Sequence, residues 1–359
     1  MSRHGGGSNM IKSFPFKCYV SCQSGNEINV FTGDAISGSL EQIQTISAQE
    51  KGQGWVGRGM PLTRSKDGHR LYVSVIGIKD GEEQDRIDTY AVSPRSGKLT
   101  FLASTSVMAQ LNHVSVDRSG EFLLGASVPS SIVVVHPIGP RGQVQEMPSD
   151  VAANLSGPHL IITDPSNRFA FAPSLFSHLL HAFKFDEKCG KLSPNTPDAI
   201  HQSPGAGSRH IAYHPNRRFV YLLNERDGSL IVYQMSAQDG TLHEVMRDCH
   251  TGPDLEGEPW GAAIQVSPTG DRLYATERRG NTLAAWDLNP QSGHISNRMI
   301  VDTANNPRDF DISPNGRFLI VGALKANCLE VFDVSDPTVS PRKISEVPTG
   351  SEPGWVEII

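Results

Sequence analysis

Cysteine is scarce and unpatterned. Cys18, Cys22, Cys189, Cys249 and Cys328 make an odd total of 5 in 359 residues. Only Cys18 and Cys22 stand close together, within one strand-like run, so neither a structural zinc set nor a disulfide framework follows. No apolar run reaches the roughly 18 residues that a membrane helix needs. The opening MSRHGGGSNM has no apolar signal core either. A cytoplasmic, soluble protein with no membrane partner is the expectation. Basic blocks are also missing: 32 Lys and Arg are interspersed with 38 Asp and Glu for a net charge of -6, which leaves no footprint for a nucleic-acid backbone. GxSxG, HExxH, Walker and GxGxxG contexts are absent, and GQGWVGRG precedes a strand rather than a helix. No cofactor is expected. Helical periodicity is not sustained anywhere.

What the chain has is repetition. LTRSKDGHRLYV, VSVDRSGEFLLG, IITDPSNRFAFA, IAYHPNRRFVYL, IQVSPTGDRLYA and FDISPNGRFLIV share an apolar run, a tight polar turn and a second apolar run. Aligned on the turn they fall at Gly68, Gly120, Asn167, Arg217, Gly270 and Gly316, at successive spacings of 52, 47, 50, 53 and 46 residues. Pro presets the first turn residue, Asp or Ser bonds its own backbone, and Gly or Asn accepts the positive φ that closes a short hairpin. Two further β-rich runs follow in each repeat, as in SLIVYQM or NCLEVFDV. Four strands per period of about 50 residues is the arithmetic of a propeller blade.

Six repeats leave CYVSCQSGNEINVF and GSLEQIQTI at the front and EPGWVEII at the end. Together these make a seventh blade, so the expected fold is an all-β, seven-bladed β-propeller with four antiparallel strands per blade. Its ring closes by pairing the N-terminal strands with the C-terminal strand, which removes the exposed edges of an open array. Residues 1–13 read as a flexible leader or cloning remnant, with Met10 a candidate start, and residues 14–359 as one propeller domain. A monomer is the default.

In a blade the start of the first strand and the end of the second meet at the same mouth. Eight residues before each turn stand Met60, Asn112, His159, Arg209, Ala262 and Arg308; eight after stand Ile76, Val128, Leu175, Glu225, Arg278 and Leu324. His159, Arg209, Glu225, Arg278 and Arg308 should therefore converge. His113, His210, Asn224 and Glu277 lie one step away, and Trp260 and Trp355 near the same rim. Met60, Ala262, Ile76 and Leu324 at equivalent positions show that the fold does not require charge there. Several desolvated charges aimed at one mouth are costly unless they serve a ligand. Two or three arginines beside one glutamate suit an anionic or carbonyl-bearing small molecule. Asp254, Glu256 and Glu258 in DLEGEPW could ligate a cation but read as a solvated loop, since calcium needs about six or more placed oxygens.

These residues carry a resemblance. SRHIAYHPN (208–216), LNE (223–225), PWGAAIQVSPTG (259–270), NPRDF (306–310) and EPGWV (352–356) resemble the seven-bladed propeller lactonase family. That family includes propeller-type 6-phosphogluconolactonases and a fungal carboxymuconate cyclase. The likeness spans about residues 14–359. It implies a metal-independent carboxylic ester hydrolase of carbohydrate metabolism, with His159, Arg209, Glu225 and Arg278 as the catalytic set. Arg308, His113, His210, Asn224, Trp260 and Trp355 are then substrate contacts. Ser208 replaces the family's proline, Leu160 its serine, and Ser127 to Ser130 its Asn-Tyr-Gly-Gly, which leaves the substrate open. Hydrolysis of a lactone needs a base for water and donors for the oxyanion. Glu225 and His159 are the two candidate bases; arginines that stabilise the Glu225 carboxylate weaken it as a base and favour His159. A lactonising cyclase acting on a dicarboxylate and a non-enzymatic binding platform are the alternatives.

Overall fold

A computed structural model describes residues 15–48, 54–55, 59–79 and 82–359. The expected leader and most of GQGWVGRG lie outside the described residues. Every regular element among those described is a strand, and the strands form seven antiparallel sheets. Inner to outer, the first blade is Pro353–Ile358, Phe16–Cys22, Glu27–Gly33 and Leu40–Ser47, so the two ends of the chain close the ring. The fifth blade runs Ser208–Tyr213, Phe219–Asn224, Ser229–Met235 and Leu242–Cys249; the sixth and seventh begin with Gly261–Val266 and Pro307–Ile312. Only the second departs from four strands: Gly54–Trp55 and Leu62–Arg64 both pair with Arg70–Lys79.

The turn residues behave as their chemistry requires. Gly68, Gly120, Asn167, Arg217, Gly270 and Gly316 have φ of 71°, 86°, 62°, 64°, 77° and 70°. Each donates its N–H to the carbonyl three residues back, at 2.7 to 3.2 Å. A side chain three residues back reinforces the turn. Asp117 Oδ1 accepts from the backbone N–H of Gly120, Glu121 and Phe122 at 2.9 to 3.0 Å. Ser267 and Ser313 do the same with one oxygen each, receiving Arg272 N at 3.1 Å and Phe318 N at 2.9 Å.

The core lies between blades. Phe219, Tyr221, Leu223 and Val232 of the fifth blade pack on Leu273, Ala275, Ala284 and Trp286 of the sixth. Each large side chain buried this way contributes about 1.5–3 kcal/mol. Aromatics at the start of second strands also fill the outer turn of the neighbouring blade. A Cβ at Gly293 would stand 2.3 Å from the Phe219 ring, so only glycine permits that approach, and Tyr221 Oη donates to the Gly293 carbonyl at 3.2 Å. These contacts lock one blade's angle to the next and fix the axis on which the inner strands converge.

Candidate active site

The inner strands do not start as regular ladders. In the fifth blade Ser208 pairs with Asn224 and His210 with Leu223, so Arg209 is an extra, bulged residue. Arg308 holds that place in the seventh blade, Ala262 and Ala263 share it in the sixth, and Gly354 takes it in the first. A bulge breaks the in-out alternation of a strand and re-aims side chains. Successive residues therefore both face the axis: Arg209 at the mouth, and His210 one level deeper, on the wall of a central cavity of about 370 Å³. His113, Leu160, Ala263, Asp309 and Trp355 line the same cavity.

At the mouth, one carboxylate holds two guanidiniums. Glu225 Oε2 stands 3.0 Å from Arg209 Nε and accepts from Arg278 Nη2 at 2.8 Å. The Arg209 contact is ionic rather than a hydrogen bond, because its Nε–H is not aligned on the oxygen. Three consecutive carbonyls complete the clamp. Trp260 O accepts from Arg278 Nε at 3.2 Å, Gly261 O from Arg278 Nη2 at 2.7 Å, and Ala262 O from Arg209 Nη1. The Trp260 indole lies 4.1 Å from the Arg278 guanidinium and is 40 % exposed at the rim. Glu277 fixes this segment by accepting from Trp260 N at 2.6 Å and from Gly280 N. Burial, and to a lesser degree the Arg308 cation, brings Arg278 down to about 10 against the pull of Glu225, and Arg209 is lowered by burial and then by Arg278.

Below them lie three histidines and a tryptophan. His210 Nε2 and His159 Nδ1 are 3.2 Å apart. The His210 ring is stacked on Trp355 at 6.1 Å and meets His113 edge-on at 6.1 Å. Burial, then Arg209, pushes His113 down to about 3 and lowers His159 and His210 well below the usual imidazole range. All three are neutral at pH 7.

His159, Arg209, Glu225 and Arg278 are thus brought together, with Arg308, His113, His210, Trp260 and Trp355 around them. Asn224 is not among them: it is fully buried, and its Nδ2 donates to Ser229 Oγ at 2.8 Å within its own blade. Asp254, Glu256 and Glu258 are exposed on their loop. Asp309 is the functional-site neighbour that turn counting misses. It is buried, its Oδ2 accepts from Val356 N at 2.9 Å, and desolvation raises its carboxyl to about 7. Its equivalence to His210, one residue past a bulged arginine, is the signal that finds it.

The strands thus build a seven-bladed β-propeller with a paired Arg-Glu-Arg set and buried histidines at one mouth. The chain belongs to the seven-bladed β-propeller lactonase family, whose model matches residues 17–358, and it is therefore a hydrolase of cyclic esters. A 6-phosphogluconolactonase of Pectobacterium carotovorum is 30 % identical over 341 residues, covering 95 % of this chain and 98 % of that one. A 6-phosphogluconolactonase of Yersinia pestis is 30 % identical over 340 residues, covering 95 % and 97 %. The solved periplasmic gluconolactonase of Pseudomonas aeruginosa shares the fold, with a TM-score of 0.83 at 23 % identity over 96 % of this chain and 99 % of that one.

Proposed function

We propose that the chain hydrolyses a sugar-acid lactone bearing an anionic group, of the 6-phosphogluconolactone type, at the mouth built by His159, Arg209, Glu225 and Arg278. One observation carries the anionic part. Arg308 lies at this mouth with no hydrogen bond or ion pair to any described residue, and its Nε is buried. An unpaired guanidinium beside two paired ones suits a phosphate or carboxylate brought by the substrate.

His159 Nε2 takes a proton from water as the oxygen attacks the ring carbonyl. The Arg209 and Arg278 guanidiniums stabilise the oxyanion. Collapse breaks the ring C–O bond, and the imidazolium returns its proton to the leaving alkoxide, giving the open hydroxy acid. Glu225 anchors the arginines, with one oxygen shared between them. No metal enters this scheme. Five free thiols support a reducing, cytoplasmic setting.

A pH-indicator screen over phosphorylated and unphosphorylated sugar lactones, aromatic-pathway lactones and a muconate, with and without a chelator, tests this. Chelator-insensitive turnover of a phosphorylated sugar lactone is expected. Hydrolysis of none above the spontaneous rate, or turnover of the muconate alone, overturns it.

A further inference from the structure

His210 was expected to touch the substrate, but the structure gives it a different neighbour. Its Nε2 is the single hydrogen-bond partner of the His159 imidazole among the described residues, bonded to Nδ1 at 3.2 Å. No carboxylate and no backbone carbonyl serves that nitrogen. The ring of His210 is held from two sides, by the stacked Trp355 at an interplanar angle of 29° and by the edge of His113 at 74°. Its backbone is held as well, since His210 is the first ladder residue past the Arg209 bulge and pairs with Leu223.

An imidazole that accepts a proton at Nε2 must carry its own proton on Nδ1, and the group hydrogen-bonded to that Nδ1 decides which tautomer is present. We propose that His210 is a positioning residue that keeps His159 in its Nδ1–H tautomer, with His210 Nε2 as acceptor, so that the Nε2 lone pair of His159 faces the mouth. This rests on the reading of His159 as the base.

The choice of a neutral acceptor follows from the surroundings. His210 is faced by Arg209, Arg278, His113 and His159. A carboxylate there would be drawn to the guanidiniums. In the equivalent place of the seventh blade the carboxylate of Asp309, following Arg308, is taken up by the backbone N–H of Val356 at 2.9 Å instead of serving a histidine. A neutral imidazole accepts one hydrogen bond without competing for the cations. It also leaves the His159 ring uncharged; burial and the nearby arginines lower that ring's basicity, and an acceptor at Nδ1–H opposes them by stabilising the imidazolium that forms.

The test combines nitrogen-15 NMR of the histidine rings with kinetics on the lactone selected by the screen. In the wild type, His159 Nε2 should resonate as an unprotonated nitrogen. In His210→Phe, which keeps an aromatic ring but removes the acceptor, Nε2 should become protonated. The kcat of this variant should fall by about 10–100-fold, the usual cost of losing a partner that orients a functional imidazole, with KM nearly unchanged. His210→Gln, whose amide oxygen can accept from Nδ1, should restore the wild-type tautomer and most of kcat. A protonated Nε2 in the wild type, or a folded His210→Phe enzyme with wild-type kcat, overturns the proposal. If His210→Phe does not fold, the wild-type spectrum and His210→Gln decide it. If His159→Ala keeps full turnover, the base assignment fails instead, and the ring spectra still judge the tautomer separately.

Discussion

Each inner hairpin has two ends, and they were shaped by different demands. At the turn end, all six full repeats use one solution: a polar residue whose side chain bonds the turn, and a residue of positive φ three positions later. At the mouth end the same strands differ completely, with Arg209-His210, Ala262-Ala263, Arg308-Asp309 and Gly354-Trp355 at matching bulges. The turn is set by backbone geometry, which every blade shares. The mouth varies from blade to blade, as the proposed ligand site there requires. Uniform chemistry at equivalent positions thus reports fold, and divergent chemistry there reports function.

Substitutions at the two ends should separate stability from turnover. The largest effect is expected at Glu225. Glu225→Gln strands two buried guanidiniums, so it should lower unfolding free energy by about 3–5 kcal/mol as well as abolish activity. His159→Ala should leave thermal stability nearly intact and cut kcat by about 10²–10⁴-fold, the range of a lost general base. Wild-type turnover in both variants would end the mechanism. Next is Arg308→Ala. Its kcat/KM should drop about 10–100-fold on a phosphorylated lactone, the equivalent of a charge-assisted hydrogen bond of about 1.5–3 kcal/mol, and change little on the unphosphorylated analogue. An equal loss on both substrates would remove Arg308 from anion recognition.

At the opposite end, Asp117→Ala removes the acceptor for four backbone N–H groups, those of Ser119, Gly120, Glu121 and Phe122, and for Asn167 Nδ2 at 2.7 Å. Chemical denaturation should show a loss of about 1–3 kcal/mol, with kcat and KM unaltered. A catalytic defect in this variant would blur the division between the two ends.

The last comparison is a pH dependence. Asp309 is raised to about 7 by desolvation, so the folded chain holds a proton that the unfolded chain has already released. Its contribution is complete below the unfolded carboxylate value, is lost as pH rises towards 7, and is constant beyond. His113, lowered to about 3, works oppositely: the unfolded chain gains a proton below its ordinary value near 6.5, so stability falls as pH drops through that range. Melting curves from pH 5 to 9 should show Asp309→Asn gaining on the wild type as pH rises to about 7, then running parallel. A constant gap over the whole range would show that Asp309 does not titrate there.

The ring, its closure and the convergence of His159, Arg209, Glu225, Arg278 and Arg308 were legible because they depend on counting from a repeated turn. The second level was not. Strict alternation puts His210 on the face opposite Arg209, whereas the bulge gives both to the axis, and nothing in the residue types announces a bulge. Asp309 was hidden for the same reason. Asn224 shows the converse error, since proximity in sequence to Glu225 carried no information about its face. Its hydrogen bond to Ser229 depends on a return turn that the repeat pattern does not specify.

The closing strand Pro353–Ile358 brings Trp355 against both His210 and His113. This sets an order on biogenesis. A growing chain halted before residue 353 already contains every charged group of the mouth, yet it lacks the surface against which the histidines settle. Premature termination a few codons early would thus yield a product whose catalytic inventory looks complete by composition and whose geometry was never assembled.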